Sequence, residues 1–171
     1  MSTFALAASL ALTEPAPSCR DGQTADTTVS ALYDLVSVAP GDSWDWERIG
    51  DLFVGHGLLV SILPRPGGAL VSATDLVGLR QNTEANYRQT GFSEREYRRE
   101  TRIFGDVASV YSSFSIGLPA RGPEPLLRGL NHFQLVRSEG CWRIVSNLSQ
   151  MEGGGWTLPH ALDPEHTSDA Q

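Results

Sequence analysis

The residues best suited to chemistry in this 171-residue chain are few, and one type is missing: all thirteen basic residues are Arg, and Lys is absent. That excludes a lysine Schiff base, a catalytic lysine amine and a Walker-type phosphate loop, each of which requires a Lys. Any cationic role falls to an Arg, which keeps its proton at working pH and so anchors charge rather than transferring protons. The four His residues show no metal-ligand spacing, and Cys19 and Cys141 match neither a zinc nor a redox pattern, so neither a metal nor a cofactor is expected. Proton transfer points to His56, set between Gly55 and Gly57, because imidazole exchanges a proton near neutrality. Tyr33 beside Asp34, or Tyr87, offers a phenol that would polarise a carbonyl. The opposing readings are a solvated loop His and core tyrosines with satisfied hydroxyls.

The elements that must hold these groups follow from periodicity. Asp26 or Thr27 caps a helix whose Val29, Leu32, Tyr33 and Val36 fall at helical spacing, and Pro40-Gly41 ends it. Ser43 caps a second, shorter helix with an apolar stripe of Trp46, Ile49, Leu52 and Phe53. Residues 58–63 read as a buried strand, with a short strand at 69–71 beyond a Pro-Gly turn. Ser72 and Asp75 have capping-box spacing for a third helix that runs to about residue 90 and stops at Gly91. Its inward face of Leu76, Leu79, Thr83 and Asn86 or Tyr87 is more polar than a dry core requires. Four strands follow, at about 93–104, 107–118, 126–137 and 141–148. Gly105-Asp106 and Glu139-Gly140 suit two-residue hairpin loops.

Hairpin pairing fixes which side chains share a face. With Phe104 opposite Val107, regular alternation puts Tyr97, Arg99, Thr101 and Ile103 on one face with Ala108, Val110, Ser112 and Phe114. Glu96, Arg98, Glu100 and Arg102 then share the other face with Ser109, Tyr111, Ser113 and Ser115. The mixed apolar face should meet the helices. With Ser138 opposite Cys141, regular alternation puts Asn131, Phe133, Leu135, Trp142, Ile144, Ser146 and Leu148 inside. His132, Gln134, Val145 and Asn147 fall outside. Arg99 is then the sharpest inward candidate, because its fork suits a ligand carboxylate or phosphate. The alternative is a structural pair with a helix carboxylate such as Asp34 or Glu84.

Composition bounds the rest. A formal net charge of −7 argues against general nucleic-acid or anionic-membrane binding. No apolar run approaches the roughly 20 residues of a membrane span. Residues 4–12 have the length of a signal-peptide apolar region but lack a preceding positive charge, which favours a cytoplasmic protein over an exported one. One intrachain disulfide would accompany export. Residues 1–25 read as a flexible extension or signal segment, 26–152 as one folded domain and 153–171 as a flexible tail.

Three helices followed by a curved antiparallel sheet make an α+β pattern. The helix DWERIGDLF and the late strands VASVYSSF, GLNHFQLV and GCWRIVSNL resemble the nuclear-transport-factor-2-like (NTF2-like) superfamily, most specifically in the closing pattern of Gly140, Trp142 and Ile144. The resemblance implies a cone-shaped pocket between sheet and helices, and often a homodimer through the outer sheet face. It includes SnoaL-like lyases, isomerases and cyclases as well as modules without catalysis. His56 would then lie near the pocket, and Tyr33, Tyr87, Tyr97, Arg99, Ser112, Asn131, Trp142 and Ser146 would meet a small, largely apolar ligand with one carbonyl or acidic group. Inward acids would be nearly lacking, because Glu96 and Glu100 point outward in regular alternation. The alternative is a non-catalytic dimeric interaction module.

Overall fold

The computed structural model describes residues 19–165. The chain forms α1 (Ala25–Val36), α2 (Trp46–Asp51), β1 (Phe53–Arg65), β2 (Gly68–Thr74), α3 (Leu76–Thr90), β3 (Ser93–Phe104), β4 (Val107–Gly117), β5 (Leu127–Ser138) and β6 (Cys141–Met151). The six strands make one sheet in the order β2-β1-β6-β5-β4-β3. Only the β1–β6 pairing is parallel. This is the expected α+β architecture.

The helix starts differ from expectation by a few residues, and in each case a side-chain cap explains the shift. Thr24, not Asp26 or Thr27, caps α1, and it exchanges hydrogen bonds with Thr27 in a capping box. Asp45 rather than Ser43 caps α2, and Asp75 caps α3 by accepting from the Gly78 N–H at 2.8 Å. Ser72 instead pairs with Ser61 inside β2.

Val29, Tyr33, Val36, Ile49, Phe53, Phe92, Phe114, Phe133, Leu135 and Ile144 form one buried core between helices and sheet. Both ends of the described chain are tied back to the sheet. Cys19 forms a disulfide with Cys141, and the Gly22 carbonyl accepts from the Trp142 N–H at 2.8 Å. Gly22 is required there, since a Cβ would stand 2.8 Å from the Trp142 carbonyl oxygen. The stretch after Gly153 was expected to be a flexible tail. It packs back instead: Leu158 and Leu162 are buried, and Arg128 binds Glu152, Asp163 and Glu165 at 3.3, 2.7 and 2.9 Å. Residues 4–12 and His166 lie outside the described residues.

Two bulges reset the faces of the sheet. The β3–β4 register runs as expected from Phe104↔Val107 to Arg99↔Ser112, then shifts between Glu96 and Arg98. Glu96, not Tyr97, faces Phe114. The β5–β6 register holds to Leu135↔Ile144 and shifts at Val145, so Phe133 faces Asn147 and Asn131 faces Ser149. Each bulge adds one residue, which inverts every side chain beyond it.

Candidate functional site

A cavity of about 200 Å³ lies between the inner face of the sheet, α1, α3 and Trp44. Most of its wall is apolar or aromatic: Leu32, Val36, Ile49, Phe53, Leu59, Leu76, Leu79, Ile116 and Met151 with Trp44, Tyr87, Phe92, Phe114 and Phe133. Trp44, Tyr87 and Phe92 pack as one aromatic cluster, with ring centroids 4.6–6.0 Å apart. One end is polar and carries Tyr33, Glu94, Asn131, Asn147 and Ser149.

That polar end is a hydrogen-bonded chain with a single consistent direction. Asn147 and Ser149 donate to Asn131 Oδ1 at 3.2 and 2.5 Å. Asn131 Nδ2 donates to Glu94 Oε1 at 2.9 Å and to the Tyr33 hydroxyl at 3.0 Å. Tyr33 and Ser112 share a hydrogen bond at 2.8 Å, and the Ser112 hydroxyl donates to Glu96 Oε1 at 2.6 Å. Because Ser112 commits its only proton to Glu96, the Tyr33 hydroxyl must be the donor to Ser112. Arg99 closes the chain, bonding Glu96 through Nε at 2.9 Å and through Nη2, and reaching Ser30 and the Asp26 carbonyl on α1.

The two carboxyls therefore differ in kind. Glu96 is ion-paired to Arg99 outside the cavity wall. Glu94 stands in the cavity, and its only side-chain hydrogen bond among the described residues comes from Asn131. Burial pushes the Glu94 carboxyl up to about 7, although the Asn131 bond favours its charged form. Burial and the nearby Glu94 charge push the Tyr33 and Tyr87 phenols up, so both stay protonated near neutrality. Among the described residues, no Arg or His lines the cavity.

Of the residues singled out from sequence, Tyr33, Tyr87 and Asn131 line this cavity, and Ser112 supports it through Tyr33. The others do not meet there. Tyr97 occupies the bulge and turns outward, with the Arg128 guanidinium 5.9 Å from its ring centre. Arg99 takes the structural role, with Glu96 and Asp26 as partners rather than a ligand or Asp34. Asp34 is exposed on α1. His56 is exposed where β1 breaks register between Phe53 and Leu58, a detour in which Gly55 and Gly57 take positive φ. Trp142 is buried under the N-terminal end of α1, with its carbonyl accepting from Thr28, and forms no part of the cavity wall. Ser146 bonds Gln134 on the other side of the sheet.

Glu94, Glu96, Asn147 and Ser149 were missed from sequence because regular alternation faces them outward or leaves them out. One warning was present: that alternation puts Arg95 on the inward face beside Arg99, two unpaired cations in one core.

No protein-family model and no curated protein sequence matches the chain. Solved structures do. An NTF2-like protein with a cystatin-like fold from Novosphingobium aromaticivorans superposes with a TM-score of 0.59 at 15% identity, covering 75% of this chain and 79% of that one. A proposed dehydratase of the NTF2-like family from Streptomyces avermitilis gives 0.56 at 14% identity, covering 79% and 98%. The beta subunit of a proposed aromatic-ring-hydroxylating dioxygenase from Novosphingobium aromaticivorans gives 0.54 at 17% identity, covering 75% and 86%. At these identities the likeness is one of architecture, and with the helices, sheet order and cavity already described it establishes that this chain has the NTF2-like fold.

Proposed function

We propose that the protein is a small-molecule enzyme of the lyase, isomerase or cyclase type, with Glu94 as its proton-transferring group. The observation that supports this is a carboxyl in a mainly apolar cavity, paired with no cation among the described residues, where burial pushes its pKa up to about 7. General acid–base catalysis is most effective when the catalytic pKa lies near the working pH. The substrate that fits is a small, mainly apolar carbonyl compound. As a carboxylate, Glu94 takes a proton from the carbon beside the carbonyl; the C–H electron pair forms the enolate C=C bond as the carbonyl π pair moves onto oxygen. As the acid it returns that proton. Trp44 offers an indole N–H that is buried without a partner among the described residues, and Tyr87 offers a phenol; both residues line the same cavity and suit the developing oxyanion. Arg99 is engaged by Glu96 and Asp26 and does not serve as an anchor for an acidic ligand.

The Cys19–Cys141 bond favours export over a cytoplasmic site, since such bonds persist in oxidising compartments. No described helix is long and apolar enough to cross a membrane. A homodimer through the outer sheet face would use the uncovered end, where Tyr111 stacks on His132 at 4.3 Å and Leu148 is exposed. The segment bound by Arg128 lies along the other end.

The catalytic reading is tested by following loss of α-hydrogen from one-ring ketones in D2O by NMR. Glu94→Gln should lower the exchange rate by about 10²–10⁴-fold, and the wild-type rate should rise with pH through about 7. Exchange no faster than with Glu94→Gln across the panel would contradict the reading.

A further inference from the structure

Donors and acceptors are unequally used at the polar end of the cavity. Both Asn131 N–H groups go to Glu94 and Tyr33. The Asn147 amide nitrogen serves Asn131 and Ser149. The Ser149, Tyr33 and Ser112 hydroxyl protons are committed to Asn131, Ser112 and Glu96. What remains is mostly acceptor capacity. Among the described residues, Asn147 Oδ1 is buried with no partner, and Glu94 receives one side-chain bond where a carboxylate accepts several. Ser61 also lines the cavity and can act either way. The wall beyond is aromatic, with Trp44, Tyr87, Phe92 and Phe114.

From this we infer that the cavity is a site for small cationic amines and rejects carboxylates: an ammonium group would sit between Glu94 and Asn147, with its ring against the aromatic wall. The inference rests on the reading of this cavity as a small-molecule site, but not on catalysis. An ammonium N–H presents to Glu94 the same donor that an acidic C–H would present, so such amines should also compete with a carbonyl substrate. A cation supplies the counter-charge that the cavity lacks, and aromatic faces favour it further. A carboxylate would meet the Glu94 charge with no described Arg or His in the cavity wall to offset it. The cavity volume of about 200 Å³ suits a one-ring ligand, since an apolar cavity of about 150 Å³ holds benzene. The titratable groups around Glu94 are Tyr33 from α1 and Tyr87 from α3, both protonated near neutrality, and Glu96 on its own strand, ion-paired to Arg99. The surrounding positions on β4, β5, β6 and β1 are Ser112, Asn131, Asn147, Ser149 and Ser61, none of which titrates.

The test is calorimetric titration of the full chain with benzylamine, benzyl alcohol and benzoate at pH 6 and pH 8. Benzylamine should bind at least ten-fold more tightly than benzoate at pH 8. Its affinity should rise about ten-fold between the two pH values as Glu94 loses its proton. Glu94→Gln should remove the preference and the pH dependence, while benzyl alcohol binding by that variant shows that its cavity is intact. Benzoate binding as tightly as benzylamine, an amine affinity unchanged in Glu94→Gln, or no binding of any probe would overturn the inference. Amine binding without ketone exchange would remove the catalytic reading alone.

Discussion

The two ends of the sheet's inner wall are made by the same strands with opposite chemistry. Near the hairpin turns, Ala108, Val110, Leu135 and Ile144 are each at most 1% exposed and close a dry core. Beyond the bulges at Tyr97 and Val145, the same wall carries Glu94, Asn131, Asn147 and Ser149 around a cavity, with Glu96 just outside it. Stability comes mainly from the first region, where burial is complete and the contacts are apolar. The second region holds a carboxyl whose ionisation is opposed by its surroundings, the kind of local cost that functional sites carry. Two extra residues, one per hairpin, separate a packing surface from a chemical one.

Substitutions should act differently on the two ends. The largest effect is expected in the closed end: Leu135→Ala should destabilise by about 4 kcal/mol in denaturant unfolding, equally at pH 5 and pH 8. A marked pH dependence there would blur the distinction between the two ends.

Glu94→Gln should behave in the opposite way. The folded Glu94 carboxyl titrates near 7 against an ordinary value of 4.5, so between these values the folded state holds a proton that the unfolded state has released. Its contribution to stability is complete below about 4.5 and is lost as pH rises to about 7. The stability of Glu94→Gln relative to wild type should therefore improve by about 3 kcal/mol from pH 4.5 to pH 8, taking about 1.4 kcal/mol per pH unit. A constant difference across that range would mean that Glu94 is not destabilised when charged.

Arg99→Ala should cost about 2 kcal/mol. It leaves Glu96 half-buried without its cation, but nearly a fifth of each side chain is exposed, which softens the penalty. Because Glu96 also anchors Ser112 and Tyr33, the Arg99→Ala variant should lose part of its ketone exchange rate while Leu135→Ala, in proportion to folded protein, does not.

The sequence made the order of elements, the hairpin turns and the turn-proximal faces legible, because apolar periodicity and two-residue loops constrain them directly. Leu135 opposite Ile144 and Arg99 opposite Ser112 follow from turn geometry alone. The bulges were not legible. A bulge is decided by which long-range pairing satisfies both strands, and neither Tyr97 nor Val145 carries a local signature for it. Of the site, Tyr33, Tyr87 and Asn131 were found because they lie on α1, on α3 or on β5, the strand of its hairpin that carries no extra residue. Glu94 was missed because one residue at Tyr97 turns it inward. The Cys19–Cys141 bond joins residues 122 apart in sequence, so only the folded chain could show that their Cα atoms lie within 5.3 Å.

The central claim is that Glu94 exchanges its proton near neutral pH inside the cavity. The direct measurement is a 13C NMR titration of the glutamate side-chain carboxyls in wild type and in Glu94→Gln. One resonance with a midpoint near 7 is expected in the wild type and should be missing from the variant. If every glutamate carboxyl in the wild type titrates in the ordinary range near 4.5, the account is wrong.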